Sequence, residues 1–454
     1  MKPQLLKGTR DFLPEQISKR KYIFNTIEKV FKKYAFAQIE TPAMEALATL
    51  SGKYGDEGDK LLFKILNNGD FLEKADENAL TTRNSYALSS SIAKRGLRYD
   101  LTVPFARFVV LHQNEITFPF KRYQIQPVWR ADRPQKGRYQ EFYQCDADVV
   151  GSDSLIYEAE LASIYHEVFK ALGISVDIKI NNRKILFGIA EAVGIEDKFM
   201  DMTVAIDKLD KIGADGVEKE LLERGITPEQ SKLILEMLSV KSHQELKAFF
   251  KEGSEGLKGV AEIESVFQLS KVNTGLDNLK YDVKLARGLS YYTGCIFEVA
   301  LDKEVHPEIT MGSIGGGGRY DNLTGSFGMP GLSGVGISFG AERIYDVLEE
   351  LNLFPADVID QAAIVMMAFD DQSLEWAFYV GQMLRNEGIA VDVYPDPGKL
   401  KKQIKYAADK KVKYAGIIGE EEVRTKTISL KNLISGEQMA YNLETLTELL
   451  KQEK

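Results

Sequence analysis

The spacing of apolar residues changes along the chain and predicts its elements. Residues 15–36 carry apolar side chains three and four positions apart, which is typical of an amphipathic helix. The stretch AFAQIETPAMEAL favours a strand that stops at Pro42, because proline cannot donate to a sheet ladder. Farther along, FKRYQIQPVWRAD and RYQEFYQCDADVVG predict two antiparallel strands joined by a turn.

Turn and capping residues indicate where several elements begin or end. The sequence NNGD predicts a hairpin turn at residues 67–70. In GLRYDLTVPFARFVVLH, a strand is expected to lead into a helix with Thr102 as its N-cap and Pro104 in its first turn. Thr227 and Gln230 have the spacing of a capping box, which predicts another helix start.

The rhythm of the pattern changes twice, which predicts several domains. Residues 194–276 are helical in spacing and rich in lysine and glutamate, as expected for a helical insertion into a sheet domain. The flanking segments, 1–193 and 277–355, are predicted to form the two parts of one core. From 362 to 454 strands and helices alternate, which predicts a separate α/β domain with a largely parallel sheet.

Composition excludes some classes of protein and leaves others open. The net charge of -9 argues against a general nucleic-acid coat or a binder of anionic membranes, although a local basic site remains compatible with it. Two cysteines and four scattered histidines suggest neither a disulfide framework nor a zinc site. The N-terminus lacks an apolar signal core and no apolar run approaches a membrane span, so a cytoplasmic protein is expected.

The most informative stretch for chemistry is RADRPQKGRYQEFYQCDADVVG, residues 130–151. Arg130, Lys136 and Arg138 lie around its turn, and guanidinium groups match phosphate oxygens two at a time, so the turn is a candidate polyphosphate site. Period two puts three acceptor side chains on one face of the return strand: Gln144, Asp146 and Asp148. Such a row suits a ligand with an ammonium group and N–H donors. The alternative is a solvated hairpin with surface ion pairs.

Other candidates are scattered along the chain, and each has a structural alternative. Asp100 and Thr102 offer a second pair of acceptors or a helix cap, and Arg287 next to a glycine is placed to reach phosphate. Tyr291 and Tyr292 face opposite sides if the chain is extended there, which places one in a pocket and the other in the core, and the alternative for both is packing within a strand. The run GGGGRYD lacks the Lys-Ser/Thr pair of a P-loop and is interpreted as close-packed sheet backbone.

Together these stretches resemble the histidyl-tRNA synthetase family of class II aminoacyl-tRNA synthetases over nearly the whole chain. KGTRDFLP is similar to the family's N-terminal motif, and AFAQIETPAME to motif 1. VWRADRPQKGRYQEFYQCDADVVG resembles motif 2, and GVGISFGAERI resembles motif 3. ARGLSYYTG resembles a histidine-specific signature, which sister synthetases do not share.

The resemblance implies a fold and an activity. The fold is an α+β catalytic domain on a mostly antiparallel sheet with a helical insertion, followed by a C-terminal α/β anticodon-binding domain. The activity is ATP-dependent attachment of L-histidine to tRNA(His) through a histidyl-adenylate. Mg²⁺ is expected to arrive mainly on the ATP phosphates, with no separate metal site in the protein. Homodimerisation is expected through the motif 1 region.

The resemblance also implies roles for individual residues. Arg130 and Arg287 are the expected catalytic residues, with Arg287 stabilising charge at the α-phosphorus. The expected ATP-binding residues are Arg130, Asp132, Arg138 and Arg343. The expected histidine-binding residues are Asp100, Thr102, Arg130, Gln144, Asp148, Tyr291 and Tyr292. Ser290 departs from the signature, where aspartate is usual, and residues 71–94 are longer than expected, so neither receives a role.

Three other functions remain open. A regulatory paralogue from histidine biosynthesis shares the catalytic fold but lacks the anticodon-binding domain and has a degraded signature. A sister synthetase, such as a threonyl or prolyl enzyme, would need other pocket residues. An ATP-binding scaffold would need no chemistry.

A lysine-rich run at 399–413 is compatible with a solvated helix face, but on an anticodon-binding domain it favours phosphate contacts with tRNA.

Overall fold

The structure is a computed structural model that describes residues 2–52, 55–135, 137–273, 275–286, 291–356, 358–359 and 362–452, with the backbone alone at 55–57. The chain divides into two compact units, Met1–Pro355 and Ala356–Lys454. The finer division into two core segments and a helical insertion stays a prediction.

The first unit combines a large sheet with helices. Its described strands are β1 Ala37–Gln38, β2 Met44–Ala46, β3 Lys64–Ile65, β4 Arg95–Leu97, β5 Phe120–Trp129, β6 Glu141–Val150, β7 Val176–Asn182, β8 Leu279–Tyr281, β9 Cys295–Leu301, β10 Gly315–Tyr320 and β11 Gly334–Gly340. Its described helices are α1 Pro14–Lys33, α2 Leu47–Leu50, α3 Gly55–Lys60, α4 Glu77–Thr81, α5 Ser85–Ile92, α6 Thr102–Leu111, α7 Ile156–Leu172, α8 Arg183–Val193, α9 Phe199–Ile206, α10 Leu209–Glu223, α11 Pro228–Leu238, α12 Glu255–Ser270 and α13 Ala341–Glu350.

Eight of the described strands form one sheet, in the order β1-β5-β6-β11-β10-β9-β7-β8. The inner neighbours pair antiparallel, whereas β1 runs parallel to β5 and β7 parallel to β8. The prediction of a mostly antiparallel sheet is therefore confirmed. A smaller sheet, in the order β2-β4-β3, lies in the same unit.

Strand β6 separates the apolar core from a polar cavity, because its side chains alternate between the two faces of the sheet. One face contributes buried apolar side chains to the core: Cys145, Ala147 and Val149. The other face is polar: Gln144, Asp146 and Asp148. Residues of α1, α7 and α13 belong to the same core, which includes Phe31 and Tyr165 packed against Phe339. Such aromatic pairs stabilise by about 1 kcal/mol beyond burial alone.

The helices between 199 and 270 pack closely on the rest of the unit. At α11, the predicted capping box is confirmed: Gln230 N donates to Thr227 Oγ1 at 3.3 Å and Thr227 N donates to Gln230 Oε1 at 2.9 Å. Where α12 crosses α8, a Cβ on Gly188 would lie 2.4 Å from the Cα of Gly256. The helices therefore approach at a distance that only glycine permits.

Two of the predicted local features are wrong. Thr102 is not the N-cap of α6 but its first residue, and the Asp100 carboxylate accepts the capping hydrogen bond from Val103 N at 3.1 Å. The hairpin turn at 67–70 is also wrong, because β3 pairs with β4 about thirty residues later and not with an adjacent strand. The long 71–94 segment instead holds α4 and α5, whose N-caps are Asp76 and Asn84.

The second unit is a smaller α/β structure. Its described strands are β12 Ile364–Ala368, β13 Val391–Val393, β14 Tyr414–Ile418, β15 Ile428–Asn432 and β16 Gln438–Tyr441. Its described helices are α14 Asp371–Asn386, α15 Leu400–Asp409, α16 Glu420–Thr425 and α17 Leu443–Gln452. The strand order is β13-β12-β14-β15-β16. The first three strands are parallel, whereas β15 pairs antiparallel with both β14 and β16. The sheet is thus mixed, and less parallel than predicted.

Across the described part of both units, no helix is both long enough and apolar enough to cross a bilayer.

Candidate active site

A cavity of about 260 Å³ opens on the polar face of the large sheet. Its walls come from the segment before α6, the loop between β5 and β6, and strands β6, β10 and β11, with the start of α13. Every predicted site residue that the structure describes lines it: Asp100, Thr102, Arg130, Asp132, Arg138, Gln144, Asp148, Tyr291, Tyr292 and Arg343. Arg287 and Ser290 lie outside the described residues, as does Lys136.

Arg130 is held in one orientation between two aromatic rings. Its guanidinium carbon lies 4.3 Å from the centre of the Tyr99 ring and 5.0 Å from that of Phe142. Its Nε donates to the carbonyl of Tyr99 at 3.1 Å, and its Nη2 donates to Gln144 Oε1 at 3.4 Å. A planar cation fixed in this way is suited to bind a phosphate or carboxylate with little loss of side-chain entropy.

Two further arginines lie at the other end of the cavity. Arg343 follows the first residues of α13, and its guanidinium donates to the carbonyls of Gly137 and Ser313. Arg138 is half exposed, and its Nη1 lies 3.8 Å from Asp132 Oδ1. This end of the cavity is therefore cationic, as an anionic ligand requires.

The deep end of the cavity is acidic. Asp148 is 2% exposed, and its carboxylate accepts from Tyr320 Oη at 2.6 Å and pairs with Arg122 Nη2 at 2.8 Å. Burial raises the pKa of Asp148, and the Arg122 charge opposes that rise. A Cβ on Gly336, opposite Asp148 in the register, would lie 1.9 Å from Asp148 Oδ1. The absence of a side chain there leaves room for the carboxylate.

Asp146 lies between Gln144 and Asp148 and also lines the cavity. Burial raises its pKa to about 7, with Arg122 lowering it and Asp148 raising it further. The period-two pattern had placed Asp146 on this face, but no role was predicted for it. Asp100, which is 4% exposed, adds a third carboxylate to this end. The combined charge suits an ammonium group.

Tyr291 and Tyr292 both line the cavity, and Tyr292, which is 8% exposed, also belongs to the apolar core. Tyr291 lies in a turn and Tyr292 follows it before β9 begins at Cys295, so the alternation of an extended strand does not apply to them. Their ring centres are 4.8 Å apart, and the Tyr291 ring also lies 6.3 Å from that of Tyr320 at 88°. Nearby, a Cβ on Gly317 would lie 2.1 Å from the carbonyl oxygen of Gly336, which confirms the close-packed interpretation of the glycine run.

The sequence also gave no role to a buried ion cluster beside the cavity. Glu342 of α13 lines the cavity and accepts from Arg20 Nη1 at 2.8 and 2.7 Å and from Arg10 Nη2 at 2.5 Å. The Arg10 guanidinium lies 3.3 Å from the centre of the Tyr139 ring, and Gln140 N donates to the carbonyl of Gly8 at 2.8 Å. The N-terminal segment thus supports the loop between β5 and β6. The motif KGTRDFLP contains both Gly8 and Arg10, but the sequence alone does not show that they contact this loop.

Comparisons with known proteins identify the family of the chain. A sequence profile described as histidyl-tRNA synthetase matches residues 83–344, and one described as an anticodon binding domain matches residues 361–453. The chain is 52% identical to the histidine--tRNA ligase of Christiangramia forsetii, over 99% of both chains. It is 54% identical to that of Bacteroides fragilis, over 98% of both.

A solved structure agrees with these sequence comparisons over the full length. The histidyl-tRNA synthetase of Nostoc sp. PCC 7120 superposes with a TM-score of 0.82 at 31% identity, and the match covers 100% of each chain. Because the family profile matches more than half of the chain and the full-length relatives are more than half identical to it, the chain belongs to the histidyl-tRNA synthetase family.

Proposed function

We propose that this protein is a histidine--tRNA ligase of class II, which joins L-histidine to tRNA(His) through a histidyl-adenylate and releases AMP and pyrophosphate. The observation that carries the proposal is one cavity lined both by three arginines, Arg130, Arg138 and Arg343, and by the buried carboxylates of Asp100, Asp146 and Asp148. Full-length relatives at about half identity carry the same name. Neither of these two relatives carries the name of a regulatory protein.

The first step is the attack of the histidine carboxylate on the α-phosphorus of ATP. This transfer depends on positioning and on charge stabilisation more than on a covalent nucleophile. Arg130, fixed between its two rings, would hold the carboxylate and the α-phosphate together. Arg138 and Arg343 would hold the triphosphate, with Asp132 beside the adenine. A hydroxyl of the terminal tRNA adenosine then attacks the adenylate carbonyl.

The acidic end of the cavity would select histidine. Asp100, Thr102 and Gln144 are proposed to bind its ammonium group, and Asp148 its imidazole, with both tyrosines as walls: Tyr291 and Tyr292. A polar pocket rejects apolar amino acids because its buried groups would be left unpaired. No editing site is then required.

Arg287 is proposed to stabilise the charge that develops at the α-phosphorus. Its position in the signature ARGLSYYTG supports this role, although its side chain lies outside the described residues. Arg287→Ala is expected to abolish most of the ATP–pyrophosphate exchange and to leave histidine binding largely intact. Equal loss of both would instead indicate a structural arginine.

Mg²⁺ is proposed to bind with ATP, through the β- and γ-phosphates. Among the described residues, no cluster of three or more His, Cys, Asp or Glu side chains is arranged to hold a metal ion. The roles proposed above are those of the protein's own side chains.

The second unit is proposed to bind tRNA. It matches the anticodon-binding profile, and lysines on and beside α15 could contact phosphates: Lys399, Lys401, Lys402, Lys405, Lys410, Lys411 and Lys413. Such contacts would position the tRNA without reading its bases.

A homodimer is proposed to form through the motif 1 region, where Met44 is 51% exposed. A cytoplasmic location is proposed as well.

ATP–pyrophosphate exchange measured with each of the twenty amino acids tests this function. Exchange with histidine alone, followed by charging of tRNA(His), is the expected result. Exchange with another amino acid would identify a sister synthetase. No exchange at all would favour the regulatory paralogue or a scaffold.

A further inference from the structure

Asp146 is a buried carboxylate that lines the cavity, and the proposed function assigns it no role. It is 2% exposed and projects from β6 between Gln144 and Asp148. Asp148 already has Arg122 and Tyr320 as partners. Asp146 has different hydrogen-bond partners, which are Gln144 and Ser338. A desolvated carboxylate is unfavourable for folding unless such contacts compensate it, which suggests that it serves the site.

The partners of Gln144 show what the carboxylate controls. Gln144 Oε1 accepts from Arg130 Nη2 at 3.4 Å, whereas its Nε2 donates to Asp146 Oδ1 at 3.4 Å and to Ser338 Oγ at 3.0 Å. A guanidinium only donates hydrogen bonds and a carboxylate only accepts them. A carboxamide between the two therefore has one satisfied orientation. The Ser338 hydroxyl can donate or accept, so it does not distinguish the two ends of the amide.

We propose that Asp146 is a positioning residue, whose carboxylate fixes the direction of the Gln144 carboxamide so that its oxygen faces Arg130. The inference rests on the proposed function, in which Arg130 holds the reacting carboxylate and phosphate. If the amide turned over, its NH₂ group would face the guanidinium, donor against donor. Arg130 would then be displaced from the position that Tyr99 and Phe142 give it.

The charge of Asp146 depends on the groups around it. Arg122 on β5 favours the ionised form, while burial and two carboxylates disfavour it: Asp148 on β6 and Asp100 before α6. The pKa of about 7 means that Asp146 accepts hydrogen bonds as an anion above that pH. Below it, the protonated carboxyl carries an O–H and resembles an amide, which no longer imposes a direction on Gln144.

The test is ATP–pyrophosphate exchange with histidine, for the wild type and Asp146→Asn, across the pH range around neutrality. At about pH 8 the variant is expected to lose about tenfold in kcat/KM, the low end for a hydrogen bond to a charged group. As the pH falls to about 6, the wild type should approach the variant, since protonated aspartate mimics asparagine. The substrate imidazole titrates in both proteins, so their ratio isolates Asp146.

Ser338→Ala provides a second, independent variant. It removes the hydrogen bond that favours ionised Asp146, so the inflection in the pH profile should move to higher pH. Activity at high pH should fall by less than about threefold, because Ser338 does not set the direction of the amide. An unshifted inflection would overturn the proposal.

Thermal melting separates positioning from a structural role. Because the pKa of Asp146 is raised from 3.8 in the unfolded chain to about 7 in the folded protein, the fold loses stability as the pH rises between these two values, and the loss is complete by about pH 8. Asp146→Asn should therefore melt at the same or a higher temperature at about pH 8, while activity falls. A lower melting temperature with a constant wild-type-to-variant activity ratio would show a structural carboxylate. A wild type without histidine exchange would refute the proposed function itself.

Discussion

The two faces of β6 share one backbone and one register, yet they use burial in opposite ways. Cys145, Ala147 and Val149 are buried among apolar side chains of α1 and α7, where burial stabilises the fold. Opposite them, Asp146 and Asp148 are as deeply buried but carry carboxylates, whose desolvation opposes folding. One strand therefore contributes stability through one face and binding capacity through the other.

Changes on the polar face should reduce activity with little loss of stability, and changes on the apolar face should do the reverse. Arg130→Ala is expected to have the largest effect, with exchange slowed about 100- to 1000-fold, as for a lost transition-state donor. The melting temperature should change little. Arg138→Ala is the matched control, since its half-exposed side chain predicts a smaller loss. Normal exchange in Arg130→Ala would refute the comparison.

Gly336→Ala tests how tightly the polar face is built. The new Cβ would lie 1.9 Å from Asp148 Oδ1 and force the carboxylate away from Tyr320 and Arg122. Histidine KM in the exchange assay should rise about tenfold or more. On the same strand, Gly340→Ala would place its new Cβ 3.3 Å from the nearest atom. This variant should therefore raise the histidine KM by less than Gly336→Ala does. Equal KM values in the two variants would contradict the geometry.

Val149→Ala tests the apolar face. Val149 is 2% exposed, and its truncation should lower the free energy of unfolding by about 2 kcal/mol, through lost burial and a cavity. Urea denaturation measures the change. Exchange per folded molecule should match the wild type, and a loss of kcat would show that the two faces are not independent.

Thr227→Ala should have the smallest effect and lies away from both faces. It removes one half of the capping box of α11, which is worth about 1 kcal/mol of stability. Thr227→Ser, which retains the cap, should restore most of that stability in the same denaturation experiment. ATP–pyrophosphate exchange should be unaltered in both Thr227 variants, in contrast to the large loss expected for Arg130→Ala.

Local pattern was sufficient to predict much of the site. Period two placed Gln144, Asp146 and Asp148 on one face, and the cavity lies on that face. The pairing of Asp148 with Arg122 was not predictable, because it depends on the register of β5 against β6. Glu342 with Arg10 was missed for a similar reason, since 332 positions separate them.

The local errors also have a physical cause. Asp100 and Thr102 are both good capping residues, and sequence alone did not determine which side chain receives the hydrogen bond from Val103. At 67–70, residues such as asparagine and glycine are typical of turns in general, and they do not specify a hairpin when the partner strand is distant. Strand alternation does not apply to the tyrosine pair, because Tyr291 lies in a turn and Tyr292 precedes the first residue of β9.

The attachment of the N-terminal segment to the loop between β5 and β6 matters to anyone who purifies this protein. Arg10 covers the Tyr139 ring and the Gly8 carbonyl receives Gln140 N, so the segment buttresses a loop that it precedes by more than a hundred residues. Trimming by a trace protease before Phe12 would spare the apolar core and remove that buttress. Preparations of equal purity would then differ in specific activity, and intact mass would reveal why.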